Sequence, residues 1–116
     1  MKVTRGDIVL IDFPFSDRSG SKVRPALVVQ CDQLNSRIDD TILVAISRST
    51  HRASTTQLFI DLATPDGGVT GLRQNSMIQC ENLLTFDRQF IISVIGKLPN
   101  SLQREVDECL RAALQL

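Results

Sequence analysis

The chain has 116 residues, 42% of them hydrophobic and 22% charged, with thirteen Lys and Arg balanced by thirteen Asp and Glu. That length and balance suit one domain, residues 1–116, whose core needs no disulfide or metal staple, and they exclude a disordered chain. Zero net charge also excludes a protein that coats DNA or membrane through a broad basic face, so any nucleic-acid contact must be local.

Apolar runs rich in Val, Ile and Phe recur between turn signals and predict strands near residues 8–13, 26–30, 41–47, 57–62, 76–80 and 90–98. Pro14 with residues 19–21, then residues 35–40, then residues 64–68, read as the loops between them. Residues 31–37 have room for a short helix, and the glycines from Gly67 to Gly71 read as a turn. Only the C-terminal segment has a clear helical period: Leu102, Val106, Cys109, Leu110 and Ala113 share one face, while Arg104, Glu105, Glu108 and Arg111 occupy the solvated one. Pro99-Asn100-Ser101 supplies its start and a capping residue, and the helix is expected to pack on the sheet and close its core. Six short strands and one helix make a mostly β, α+β chain, a compact barrel or sandwich.

Nothing near Met1 has signal-peptide form, and no stretch reaches the apolar length of a membrane span, so the chain is expected to be cytoplasmic with no membrane contact. Cys31, Cys80 and Cys109 are widely spaced and lack metal-ligand neighbours, so they read as plain buried or half-buried thiols. With His51 as the single histidine and no HExxH or DxD pattern, no metal and no other cofactor is expected. The glycines at 67–71 lack the preceding strand and the following Lys-Ser/Thr of a nucleotide loop.

The cations are unevenly placed. Arg18, Lys22 and Arg24 fall in an acid-free run, Arg48 and Arg52 flank His51 in a Ser/Thr-rich run, and residues 41–60 contain no carboxylate. Guanidinium forks and hydroxyls on two loops suit a phosphodiester, although scattered surface Arg gives the same composition. Arg24 tips the balance: it precedes Pro25 and the apolar Ala26-Leu27-Val28-Val29, at the entrance of a buried strand where a charge needs a specific partner.

At these residues the chain resembles the MazF/PemK (Kid) family of toxin endoribonucleases. The resemblance rests on Gly6-Asp7-Ile8-Val9-Leu10 to Asp12-Phe13, Ser19-Gly20-Ser21, Arg24-Pro25-Ala26-Leu27-Val28-Val29, Leu43-Val44-Ala45-Ile46-Ser47 and Ser76-Met77-Ile78-Gln79-Cys80-Glu81-Asn82 to Thr85-Phe86-Asp87. It implies an SH3-like, partly open β-barrel of the CcdB/Kid/MazF type with a C-terminal helix, usually a homodimer, inhibited by a cognate antitoxin. It also implies metal-independent cleavage of single-stranded RNA at short motifs, in which the ribose 2′-OH attacks phosphorus and leaves a 2′,3′-cyclic phosphate and a 5′-OH. Carried over by position, Arg24 stabilises the pentavalent transition state, Ser47 hydrogen-bonds the scissile phosphate and Glu81 is the nominated general base. Ser19, Ser21 and Lys22 in the first loop, with Arg48, Arg52 and Gln79, are the RNA contacts.

The chain departs from the family's common pattern in that first loop, which has no Glu but Lys22 nearby, and at Leu84, where many members have Arg. With no Trp or Tyr, and with Phe13, Phe59 and Phe90 read as core residues, stacking is not the main grip. Phe15 is the one exposed ring expected, as a stacking contact or as a dimer or loop anchor. Two alternatives share the fold: a CcdB-like toxin that binds gyrase, and a catalytically inactive RNA- or antitoxin-binding member.

Overall fold

The computed structural model describes residues 1–14, 21–51 and 54–116. In chain order the elements are β1 (Asp7–Pro14), β2 (Ser21–Val28), α1 (Asp32–Asn35), β3 (Asp40–Ser47), β4 (Gln57–Ile60), α2 (Pro65–Gly68), β5 (Ser76–Asp87), a 3-10 turn (Arg88–Phe90), β6 (Ser93–Lys97) and α3 (Asn100–Leu114). All strand pairs are antiparallel, in the sheet order β4-β5-β3-β2-β1-β6. The sheet curls into a partly open barrel with α3 against it, the architecture expected from the sequence.

Alternation along the strands divides the core between the two faces of the sheet. Ile8, Leu27, Val44, Ile46, Ile78 and Cys80 point one way and meet Val106 and Cys109 of α3. Their neighbours Val9, Ile11, Ala26, Val28 and Leu43 point the other way and pack with Val3 and Ile91. The helical period predicted for the C-terminus is the one that docks: Val106 and Cys109 are buried, with Leu102 and Leu110 packed beside them.

Two glycines close the curl. Gly71, at φ +80°, and Gly96 on β6 pass so closely that a Cβ on Gly96 would lie 1.9 Å from the Thr70 carbonyl oxygen, and one on Gly71 2.0 Å from that of Ile95. The chain leaving α2 on the β4 side thereby lies against the opposite edge strand. The opening motif is equally physical. Gly6 takes φ +96° and donates its N–H to the Val28 carbonyl at 2.9 Å, while the Asp7 carboxylate accepts from the N–H and hydroxyl of Thr4.

Several sequence expectations shift. β2 starts five residues before Ala26, because its ladder with β1 runs on to Pro14 and Ser21, so Arg24 lies inside a strand rather than at its entrance. β5 continues to Asp87, since residues 83–87 pair with β3. The glycines expected as a turn include a helical turn, α2, capped by the Thr64 hydroxyl, which accepts from the Gly67 N–H at 3.0 Å. α3 has Pro99 at its N-cap with no side-chain capping bond; Ser101 instead donates to Asp66. Cys31 is exposed rather than buried, and Phe59 and Phe90 are exposed because they sit on the outer strand β4 and in the turn before the outer strand β6.

Candidate active site

The site forms where two central strands part. The β2–β3 ladder reaches Ala26 opposite Ala45 and stops; the next residue of β2, Pro25, has no N–H with which to extend it. β2 remains paired to β1, with Arg24 opposite Ile11 and Lys22 opposite Phe13. The parted ends open a groove of about 710 Å³ on the sheet face away from α3, and its lining includes Phe13, Lys22, Arg24, Ser47, Arg48, Ser49, Gln79 and Asn82.

Five of the residues nominated from the sequence therefore meet: Arg24, Ser47, Lys22, Arg48 and Gln79. Arg24 is half-buried, and among the described residues no acid pairs with it and no side-chain hydrogen bond engages it. A half-buried guanidinium with no carboxylate beside it is free to engage an anion. The Ser47 Oγ accepts the N–H of Ser49 at 3.1 Å, which fixes the hydroxyl and leaves its own proton for an acceptor in the groove. Phe13 is half-buried and does both: it packs against the Val9–Ile11 cluster, as a core residue should, and its strand position also brings it to the groove wall. No Asp, Glu or His is among the described residues that line the groove.

Glu81 does not join this group. Between the pairs Val44–Leu83 and Ala45–Gln79, three residues of β5 lie against none of β3. This bulge sends Cys80 into the core and turns the Glu81 carboxylate to β4, where Thr56 Oγ1 donates to it at 2.7 Å and Gln57 Nε2 at 2.5 Å. Partial burial works to raise the Glu81 pKa, but these two hydrogen bonds outweigh it and hold the carboxyl below its usual range. Burial, with a further push from neighbouring Cys109, raises the Cys80 thiol to about 12, so it stays protonated and inert.

Phe15, Ser19 and Arg52 lie outside the described residues, as does the side chain of Ser21. Among the polar lining residues, sequence reasoning nominated neither Ser49, which follows Arg48 in the same loop, nor Asn82. Asn82 stands in a motif segment, but only the bulge brings it onto the same wall as Gln79, and a bulge leaves no local sequence signal here. Among the described residues there is no group of three or more His, Cys, Asp or Glu able to hold a metal ion, and no helix is long and apolar enough to cross a membrane.

Comparison with known proteins places the fold and the family. The family described as PemK-like, MazF-like toxin of type II toxin-antitoxin system matches residues 4–114. Endoribonuclease MazF6 of Mycobacterium tuberculosis (strain ATCC 25618 / H37Rv) is 31% identical over 119 residues, which span 100% of both proteins. Endoribonuclease EndoA of Bacillus subtilis (strain 168) is 29% identical over 117 residues, covering 100% of this chain and 97% of that protein. Among solved structures, an endoribonuclease in complex with its cognate antitoxin from Mycobacterial species has the same fold, with a TM-score of 0.80 at 18% identity over 98% of this chain and 96% of that one. With nearly its whole length matched and the parted strands carrying the residues that prompted the resemblance, this chain belongs to the PemK-like, MazF-like toxins of type II toxin-antitoxin systems.

Proposed function

We propose that the chain is a metal-independent endoribonuclease toxin that cleaves single-stranded RNA in the groove between β2 and β3. The observation that carries this reading is the convergence of Arg24, Ser47, Lys22 and Arg48 on one groove with no carboxylate among its described lining residues. Its relatives named as endoribonucleases supply the reaction class.

The substrate brings its own nucleophile. The O2′ of the ribose attacks the adjacent phosphorus, the P–O5′ bond breaks, and a 2′,3′-cyclic phosphate and a 5′-OH result. One proton leaves O2′ and one arrives at O5′, so the step needs no net proton source. The protein must place O2′ in line with O5′ and stabilise the extra negative charge on the phosphoryl oxygens. Arg24 offers a fork of donors to those oxygens, Ser47 adds a fixed hydroxyl donor, and Lys22 and Arg48 hold flanking phosphates. With no acid or histidine among the described lining residues, charge stabilisation by Arg24 and Ser47 carries the rate rather than a dedicated carboxylate base. Glu81, turned to Thr56 and Gln57, is given the part of holding β5 in place.

In this reading the chain acts in the cytoplasm as a homodimer, the residues 1–116 form one toxin domain, and a cognate antitoxin presents acidic groups to the same cations. The antitoxin-bound structure of the relative supports such a partner. Incubation with a long single-stranded RNA in EDTA tests the reaction. Discrete fragments with 2′,3′-cyclic phosphate ends are expected, and a strict requirement for Mg²⁺ would refute it.

A further inference from the structure

We infer that Asn82, carried into the groove by the β5 bulge and standing with Gln79 on one wall, reads the identity of one RNA base. The inference rests on the endoribonuclease reading above and assigns to that site its source of sequence preference.

The groove's cations hold phosphates, and phosphates carry no sequence information. Its described lining has one ring, Phe13, and stacking on a ring is largely indifferent to which base is stacked. The Ser47 and Ser49 hydroxyls donate or accept alike and so discriminate little, which leaves the pair of carboxamides, Gln79 and Asn82, to distinguish bases. Gln79 lies opposite Ala45 on β3 and opposite Gln57 on β4, the last regular position before the bulge. In an unbroken strand Gln79 and Asn82 would face opposite sides, because side chains alternate. The bulge inserts Cys80, Glu81 and Asn82 between consecutive partners on β3, and both carboxamides then line the same cavity.

The bulge is held from behind. Cys80 donates its backbone N–H to the Thr56 carbonyl at 3.0 Å, and the Glu81 carboxylate accepts from Thr56 and Gln57. Asn82 itself is exposed and makes no side-chain hydrogen bond among the described residues, so both its donor and its acceptor are available to a ligand. A carboxamide offers one acceptor beside one donor, which complements a base edge that shows a donor next to an acceptor. Adenine and cytosine show an amino group beside a ring nitrogen, uracil and guanine a carbonyl beside a ring N–H, and the direction in which the bulge holds the carboxamide selects among them. A single strand exposes these edges for reading.

The test is the cleavage motif of the unsubstituted protein, Asn82→Ala and Asn82→Asp on a randomised single-stranded RNA, read by sequencing the fragment ends. The unsubstituted protein should require one particular base at one position. Asn82→Ala should relax that position and lower kcat/KM at the original motif about tenfold or more. Asn82→Asp keeps the shape but offers acceptors only, so preference at that position should move toward guanine, whose N1–H and N2–H both donate. Glu81→Gln, which weakens the tether, should broaden the same position and leave the pH dependence of kcat/KM unchanged.

A motif identical in all three Asn82 proteins, with every site slowed alike, would overturn the inference and leave the nuclease reading standing. An acid-side fall in rate that the unsubstituted protein shows and Glu81→Gln loses would overturn the tethering role by making Glu81 the proton acceptor. Absence of any cleavage by the unsubstituted protein would remove the nuclease reading and this inference together.

Discussion

Arg24 on β2 and Ser47 on β3 each stand two residues beyond the Ala26–Ala45 pair, so the last rung of that ladder delivers both side chains to one mouth of the sheet. Residues 23 apart in the sequence become a guanidinium and a hydroxyl facing a shared cavity. Because Pro25 ends the ladder between them, their spacing is set by how the strands part rather than by a hydrogen bond.

Arg24→Ala should lower RNA cleavage by about 100-fold or more, the usual cost of removing a preorganised donor from a developing oxyanion. Its thermal midpoint should stay close to that of the unsubstituted protein, since no described residue pairs with Arg24. Arg24→Lys should recover part of the loss by restoring the charge without the fork. Cleavage by Arg24→Ala at the original rate would place the chemistry elsewhere.

Ser47→Ala should cost roughly 10- to 100-fold in kcat, in line with one hydrogen bond to a charged group. Ser47→Thr keeps the hydroxyl held by the Ser49 N–H and should retain most of the activity. Equal losses in both variants would show that the space at this position matters and the hydroxyl does not.

RNA affinity should depend only moderately on salt. Lys22, Arg24 and Arg48 are the described groove cations. At about −0.7 per phosphate on a single strand, three contacts give a slope of about −2 in log affinity against log salt. A slope several times steeper, measured by titration from low to high salt with a non-cleavable 2′-deoxy strand, would mean that the strand follows cations well beyond this groove.

Asp107 on α3 accepts from Arg5 Nη2 at 2.8 Å and from Gln103 Nε2 at 3.1 Å. Partial burial works to raise its pKa, but the Arg5 and Gln103 bonds and the Arg5 charge outweigh it and lower the carboxyl below its usual range. A lowered pKa in the folded state means that this contribution is full above the unfolded value, about 3.9, and is lost as the pH falls through the folded value. Asp107→Asn should therefore be less stable near pH 7 by about 1 kcal/mol or less, since both partners are about a third exposed. The difference should shrink in acid, as followed by melting at pH 7 and pH 3, while RNA cleavage at pH 7 stays unchanged. A large loss of cleavage in this variant would mean that the site extends to α3.

Gly96→Ala should be severely destabilising, by about 3 kcal/mol or more, because the new Cβ meets a backbone carbonyl at 1.9 Å that cannot move without opening the curl. Chemical denaturation of the purified variant, or its failure to accumulate as folded protein, is the readout. Gly68→Ala, whose nearest contact would be 3.4 Å away, is the matched control and should cost little more than the change in local backbone preference.

The legible part of this protein was local. Alternating apolar residues announced the strands, the Leu102–Val106–Cys109 period announced α3, and the placement of Arg24 before Pro25 announced a charge with work to do. The extension of β2 back to Ser21 was missed because Lys22, Val23 and Arg24 do not look like a buried strand. They pair because β1 lies alongside, and pairing with a neighbour overrides a segment's own composition. Glu81 was placed on the groove by position in a motif, whereas its carboxylate is turned to β4.

The sequence by itself determined which segments extend, which one coils, and which cations stand free of acids, because periodicity and charge run are properties of residues a few positions apart. Tertiary structure alone decided that Arg24 and Ser47 share a mouth, that a bulge turns Glu81 away and Asn82 inward, and that Gly71 passes Gly96. Each of those depends on the register between strands distant in the chain, and register is a free-energy choice among pairings that no single segment encodes.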